Sequence, residues 1–122
     1  MANLKTSVGL SHMAKLAGGV AGGLPILYIE VGTGALTPSA STTALVSPLS
    51  PRVPTTNTET GGVLTYEGFF TNSQANGTLT EWAAWSALSG GTLLDCGTFT
   101  PAVTKTSASV LTVTATNTVT AA

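Results

Sequence analysis

Charged side chains are scarce in this chain. Lys and Arg together number 4 and Asp and Glu 5, so charged residues make up 7% of the 122 residues and the formal net charge is −1. Ordinary soluble domains carry about 25% charged residues. Four scattered basic residues exclude the positive surface that nucleic-acid binding requires. Because charge keeps proteins apart in solution, a surface with so little of it favours a protein that works inside an assembly.

Cysteine and histidine each occur once, as Cys96 and His12. One cysteine excludes an intrachain disulfide framework, and the pair is too small for a Cys/His zinc site. Any Ser-His-Asp or Cys-His catalytic site would have to recruit His12 from the N-terminal segment. Cys96 follows an apolar run, which is typical of a buried, unreactive thiol. We therefore predict no metal, no cofactor and no enzymatic activity.

Long hydrophobic runs are also lacking. The stretch 16–29 is apolar but contains four glycines and a proline, and it is shorter than the roughly 20 residues that a spanning helix needs. No compact apolar run follows Lys5 in the manner of a secretory signal. The sequence thus predicts synthesis in a cytoplasm and no membrane partner.

Threonine, serine and glycine are abundant instead, with 23, 11 and 14 residues. The clearest pattern is at positions 110–120, where apolar and threonine residues alternate. Strict alternation is typical of a half-buried strand with a polar outer face. Several such segments separated by turns predict an all-β chain, folded as a single antiparallel β-sandwich or small barrel.

The N-terminal segment differs from this pattern. Positions 2–17 could form a short helix, which Gly18 and Gly19 would end, and Gly22 and Gly23 add a second flexible point. We interpret residues 1–24 as an N-terminal arm with a glycine hinge and residues 25–122 as the β-sandwich body. The apolar residues of the arm do not fall on one stripe, and we take them as candidate assembly contacts: Leu4, Val8, Leu10, Met13 and Leu16.

Strands are predicted in the body at 26–31, 63–71, 79–88, 92–99 and 110–120. Four prolines between positions 38 and 54 argue against a central strand there, so we interpret 35–56 as a long surface connection. Asn76-Gly77 is the commonest tight-hairpin dipeptide and predicts a hairpin between the second and third of these strands.

Trp82 and Trp85 are three positions apart, so a regular strand places them on opposite faces. They are either core residues or an exposed platform for sugar recognition. Glu67 and Glu81 flank the predicted hairpin turn and could face each other across it, as the carboxylate pair of a glycosidase does. Outward-facing, solvated carboxylates explain them more simply. The alternative for Glu81 is a bond to a backbone amide or to Lys105. We therefore assign no catalytic residue.

Six stretches in a fixed order resemble a family of small tailed-bacteriophage virion proteins usually labelled tail-fibre-like. They are AKLAGGVAGG, LPILYIEVGTG, ALTPSASTTALVSPL, VLTYEGFFTNSQANGTLTEWAAWSA, SGGTLLDCGTF and PAVTKTSASVLTVTATNTVT. The resemblance covers nearly the whole chain. It implies a virion structural component with a β-sandwich body and no catalytic residues to carry over. The chain departs from the family after Glu81, where an aliphatic stretch is replaced by Trp82-Ala-Ala-Trp85.

Two functions are compatible with these observations. The first is a capsid decoration (cement) protein that binds the outer shell as a symmetric homo-oligomer, with a trimer favoured. Its arm would reach neighbouring subunits or the major capsid protein. The alternative is a tail-fibre or receptor-binding component, with tail proteins as partners, that contacts host surface glycans. Either function predicts location in the virion.

Overall fold

The computed structural model describes residues 3–118, which form one short helix and seven strands. The elements are β1 (Asn3–Lys5), α1 (Ser7–Gly18), β2 (Tyr28–Gly32), β3 (Pro48–Thr60), β4 (Val63–Phe70), β5 (Gly77–Trp85), β6 (Leu93–Lys105) and β7 (Leu111–Thr118). All strands join one sheet in the order β1-β6-β5-β2-β3-β4-β7, and every neighbouring pair is antiparallel. The predicted antiparallel all-β architecture with a short N-terminal helix is confirmed, and the single sheet curls into a half-barrel.

Contacts between distant strands show the curl. Tyr66 of β4 and Trp82 of β5 have ring centroids 6.4 Å apart, although β2 and β3 lie between their strands. The Tyr66 hydroxyl also donates a hydrogen bond to the Asp95 carboxylate of β6, and both residues are fully buried. In a flat sheet, β4 and β5 would be three strand spacings apart, too far for these side chains to meet. The main core therefore fills the concave side of the sheet.

The strand β7 follows its predicted alternation. Leu111 is half-buried, Val113 and Ala115 are buried, and the threonines between them are exposed. Because β7 pairs with β4 only, and without a register break, one face meets the core and the other meets solvent. The predicted continuation to positions 119 and 120 lies outside the described residues.

The interpretation of 35–56 as a connection is wrong for its second half, because β3 begins at Pro48 and lies inside the sheet. Pro48 and Pro54 oppose residues of β2, whereas pairing with β4 begins only at Thr55. The prolines thus occupy the half of β3 that has one neighbouring strand. A missing N–H is tolerated on such an edge, which is why three prolines do not prevent the strand.

The strand β6 also runs further than predicted, to Lys105 instead of about 99. Its pairing with β5 shifts between Thr98 and Val103, and Pro101 lies within this irregular step. A proline is accommodated where the ladder is already broken. The polar segment after position 99 therefore continues the strand to Lys105.

The predicted hairpin at Asn76-Gly77 is wrong. The strands on either side of it, β4 and β5, do not pair with each other: β4 pairs with β3 and β7, and β5 with β2 and β6. Ala75 adopts a positive φ of 57° and Gly77 one of 144°. The segment 71–76 is therefore a crossing from one half of the sheet to the other.

The arm contains a strand that the sequence did not predict. The helix α1 begins at Ser7 instead of position 2, because the Thr6 side chain accepts a hydrogen bond from the Gly9 amide and forms the N-cap. Residues 3–5 before the cap are extended and pair with β6. The predicted stop is confirmed, since Gly19 ends the helix with φ 65°.

Candidate functional site

The arm is attached to the sheet mainly by backbone contacts. Strand β1 adds three residues to the edge of β6, with Leu4 opposite Cys96. Thr6 then fixes the turn into the helix, because its hydroxyl donates to the Leu93 carbonyl at 3.0 Å while its amide donates to Leu94 at 3.3 Å. A Cβ added at Gly9 would lie 1.9 Å from the Leu94 carbonyl oxygen, so the helix backbone rests directly on β6.

One face of α1 is turned toward the sheet. Gly9, Met13 and Leu16 are spaced four and three residues apart and therefore share a face. They line an apolar cavity of about 190 Å³ between the helix and the sheet. Gly9 is the only buried residue of the helix. The helix thus rests on the sheet without being packed into its core.

Large apolar side chains are exposed at the N-terminal end of the chain far more than elsewhere. Of the eleven exposed ones among residues 3–118, seven lie between positions 4 and 27. Their exposed fractions run from 37% to 58%, and the residues are Leu4, Val8, Leu10, Leu16, Val20, Leu24 and Leu27. Single exposed apolar residues are ordinary, but their concentration in this one segment makes it a candidate interaction surface. We call these seven residues the apolar arm surface.

The predicted assembly contacts fall largely on this surface. Leu4, Val8, Leu10 and Leu16 belong to it, whereas Met13 is half-buried against the cavity. Three residues of this surface were not predicted as contacts: Val20 and Leu24 of the hinge, and Leu27, which lies just before β2. They are spaced four and three residues apart, but the glycines and the proline between them argue against a helix, so this spacing did not mark them as one exposed face.

Both tryptophans are core residues. Trp82 is fully buried in the main core, and Trp85 is 6% exposed in a smaller cluster with Leu93 and Cys96 on the other face of the sheet. Their placement on opposite faces agrees with the predicted strand geometry. The alternative of an exposed tryptophan platform for sugars is wrong, because the body needs both rings to fill its two apolar layers.

A charged cluster that the sequence analysis missed lies beside Trp85. Glu30 accepts a hydrogen bond from Trp85 Nε1 at 2.9 Å and forms an ion pair with Arg52 at 3.3 Å. The Arg52 guanidinium stacks 3.6 Å from the Trp85 ring centroid and donates to the carbonyls of Ala87 and Gly90. A surface pocket of about 430 Å³ opens beside Glu30 and Arg52. Glu30 and Trp85 are 55 positions apart in the sequence, so no local spacing connects them.

The two carboxylates considered for hydrolysis are in different environments. Glu81 is fully buried, and its oxygens accept from the amides of Gly34 (3.0 Å), Val46 (2.8 Å) and Ser47 (2.7 Å). Glu67 is exposed on β4, a strand that does not pair with β5. The interpretation of both carboxylates as outward-facing and solvated is therefore wrong for Glu81. Its oxygens hold two loops to the sheet through backbone amides, which was the other expectation, whereas Lys105 donates to Asn76 instead.

Cys96 is buried, as predicted, with its thiol directed at the Leu4 carbonyl. Burial raises the pKa of this thiol above its ordinary value of 9.0, and the neighbouring Asp95 charge raises it further. His12 accepts a hydrogen bond from the Leu24 amide at 3.1 Å. It thereby connects the helix to the hinge and serves a structural role in the arm.

Comparisons with known proteins add no identification. No family model, no curated protein and no solved structure matches the chain. Across residues 3–118 there is no cluster of three or more side chains suited to hold a metal ion. Nor does that part of the chain contain a helix long and apolar enough to cross a membrane. The apolar arm surface is the candidate site that the geometry supports best.

Proposed function

We propose that this protein is a non-enzymatic structural protein of a tailed-bacteriophage virion that binds the outer capsid shell as a symmetric homo-oligomer, with a trimer favoured. The observation that carries the proposal is the apolar arm surface, which holds seven of the eleven exposed large apolar side chains among residues 3–118. Transfer of such side chains from water into an interface is favourable by about 25 cal/mol per Å². Because the sequence resembles small virion proteins, we take the virion as the assembly that this surface binds.

The low charge of the chain supports an assembled state. A net charge of −1 gives little repulsion between copies placed side by side on a shell. Symmetric repetition also multiplies weak contacts, so the apolar arm surface need not bind tightly in any one copy. A decoration protein with these properties would remain separate at low concentration and bind once a shell presents many sites.

The first experiment measures the copy number of this protein against the major shell protein in purified virions. Hundreds of copies, near-commensurate with the shell subunit, are expected for a capsid decoration protein. A few to tens of copies would place it on the tail or fibres and overturn the shell assignment.

A charge substitution tests the surface itself. Leu10→Glu puts a carboxylate on the exposed face of α1, and we expect at least a tenfold loss of incorporation into particles. Thr112→Glu is the matched control, because it adds the same charge at an exposed position on the outer face of β7, opposite the uncharged Phe69. Equal incorporation of both variants would contradict the role of the arm.

A second candidate function is a fibre component that contacts host glycans. The pocket beside Arg52 favours it, because Ser50 and Ser89 line it together with the charged pair. Hydroxyl and charged side chains at a pocket of this size can hydrogen-bond a sugar. Saturation-transfer NMR with host surface glycans tests this, with Arg52→Met as the variant that should abolish the signal.

A further inference from the structure

We propose that in the assembled state the arm is exchanged between copies: residues 3–18 of one copy leave their own β6 and dock on β6 of a neighbouring copy. The inference goes beyond the proposed function, because it concerns contacts between copies of this chain and needs no shell. The partner is therefore a second copy, and the contact is the edge of β6.

The fit between this edge and this segment is seen within one chain. Strand β1 pairs with β6 through three residues, Thr6 hydrogen-bonds the carbonyls of Leu93 and Leu94, and Gly9 allows the helix to touch the Leu94 backbone. Every copy presents the same edge. An identical segment from a neighbour would make the same contacts, which is the basis of domain exchange.

Release of the arm from its own sheet has a small cost. The two buried apolar clusters, as described for residues 3–118, contain no side chain from positions 3–24. The attachment is a short strand, one capping residue, one glycine contact and a hydrogen bond from the Ser7 amide to the Ala40 carbonyl. The hydrogen bonds lost on release are regained in full on the neighbour, so the equilibrium depends mainly on the hinge and on the local concentration of copies.

The hinge has the properties that exchange needs. Gly19 and Gly22 have φ values of 65° and 87°, a region that glycine adopts without strain. Among the described residues, no hydrogen bond joins positions 19–25 to a strand of the sheet, since the bonds made there go back to α1. Extended, these positions span about 23 Å, enough to cross to an adjacent molecule.

The only cysteine of the chain provides a direct test. Leu4 lies opposite Cys96 in the β1–β6 pair, and directly opposed residues of antiparallel strands are close enough for a disulfide to form. The Leu4→Cys variant is oxidised under native conditions and analysed on a non-reducing gel. Exchange predicts that most of the disulfide joins different chains at concentrations where the protein is oligomeric, and that dilution before assembly shifts it to within one chain.

A mixing experiment distinguishes an exchanged arm from other disulfide links between chains. One partner carries Leu4→Cys with Cys96→Ala, and the other is the unaltered chain with Cys96 only. A peptide cross-link between positions 4 and 96, identified by mass spectrometry, forms only when an arm crosses between copies. The unaltered chain alone reports any bridge between two Cys96 thiols.

The other outcomes overturn the proposal. A disulfide confined to single chains in the oligomer, with no cross-link in the mixture, shows that each arm stays on its own sheet. No disulfide in the folded Leu4→Cys variant at any concentration, under conditions in which the unfolded variant forms one, shows that β1 does not occupy β6 at all. Failure of the virion experiment leaves this result unaffected, because the exchange is measured on the purified chain.

Discussion

The arm and the curled sheet are stabilised in opposite ways. The sheet buries its large side chains, among them Trp82, Tyr66 and Phe70, which have no exposed surface. The arm leaves its large apolar side chains in solvent and is attached through backbone groups and a glycine. Side-chain burial gives a structure that is specific and stable by itself. Backbone attachment gives one that is easily released and easily re-formed, as an assembly element requires.

The polar groups show the same contrast. In the body, Glu81 satisfies three loop amides and Tyr66 bonds Asp95 across the interior. In the arm, Thr6 is the only buried polar side chain among the described residues. Substitutions in the two regions should therefore differ in kind: those in the body change the free energy of unfolding, and those in the arm change docking and assembly.

The largest effect is expected for Trp82→Ala. Truncation of a fully buried tryptophan leaves a cavity in the main core, and we expect a loss of about 3–5 kcal/mol in the free energy of unfolding. Urea denaturation followed by circular dichroism measures it. Leu10→Ala, in the arm, is the control and should change stability by less than about 0.5 kcal/mol. Equal losses in the free energy of unfolding would contradict the proposed difference between the core and the arm.

Glu81→Gln should have the next largest effect. The substitution replaces one acceptor oxygen by an NH₂ group facing amide donors, so we expect a loss of about 2–3 kcal/mol. The control is Glu67→Gln, which makes the same chemical change on an exposed strand position and should be close to neutral. The measurement is again the denaturation midpoint. If both variants were neutral, the carboxylate would not anchor the loops.

Gly9→Ala tests the arm by itself. The added methyl would overlap the Leu94 carbonyl, and overpacking of this kind costs about 1–3 kcal/mol. We expect the arm to detach while the core stays intact, seen as faster amide hydrogen exchange at positions 3–18 only. Gly18→Ala is the matched control, because its methyl would meet only Val20, at an ordinary distance of 3.6 Å.

The smallest effect concerns pH. Because burial raises the pKa of Cys96 above 9.0, the native thiol stays protonated where the unfolded one already ionises. The stability that this gives is full below the unfolded pKa and is lost as pH rises through the folded one. We expect the unaltered chain to lose stability faster than Cys96→Ala between about pH 8 and pH 10. Parallel curves from thermal unfolding would contradict the burial of the thiol.

Local patterns were sufficient for several elements. The alternation at 111–118 predicted both the strand β7 and its threonine face, and the run at 26–31 predicted the strand β2. Gly18 and Gly19 marked the end of α1. Each of these features depends on residues that are neighbours in sequence, so the sequence displays them directly.

Other elements depend on partners distant in sequence, and there local rules failed. The prolines argued against a strand at β3. This prediction failed because the proline-containing half of β3 pairs with β2 only, which the local sequence does not show. Asn76-Gly77 predicted a hairpin. The prediction failed because the turn preference of a dipeptide does not determine which strands pair. The charged cluster of Glu30, Arg52 and Trp85 and the amide partners of Glu81 were invisible for the same reason.

The sequence by itself determined a sparsely charged, antiparallel β chain with a glycine-hinged N-terminal segment, because composition, alternation and glycine placement are local properties. Only the tertiary structure decided that the strands join one curled sheet, that both tryptophans are buried and that β1 completes the edge of β6. Those outcomes depend on which segments meet in space. Contacts such as Tyr66 with Asp95 and Leu4 with Cys96 arise from the curl and the strand order, which no short stretch of residues encodes.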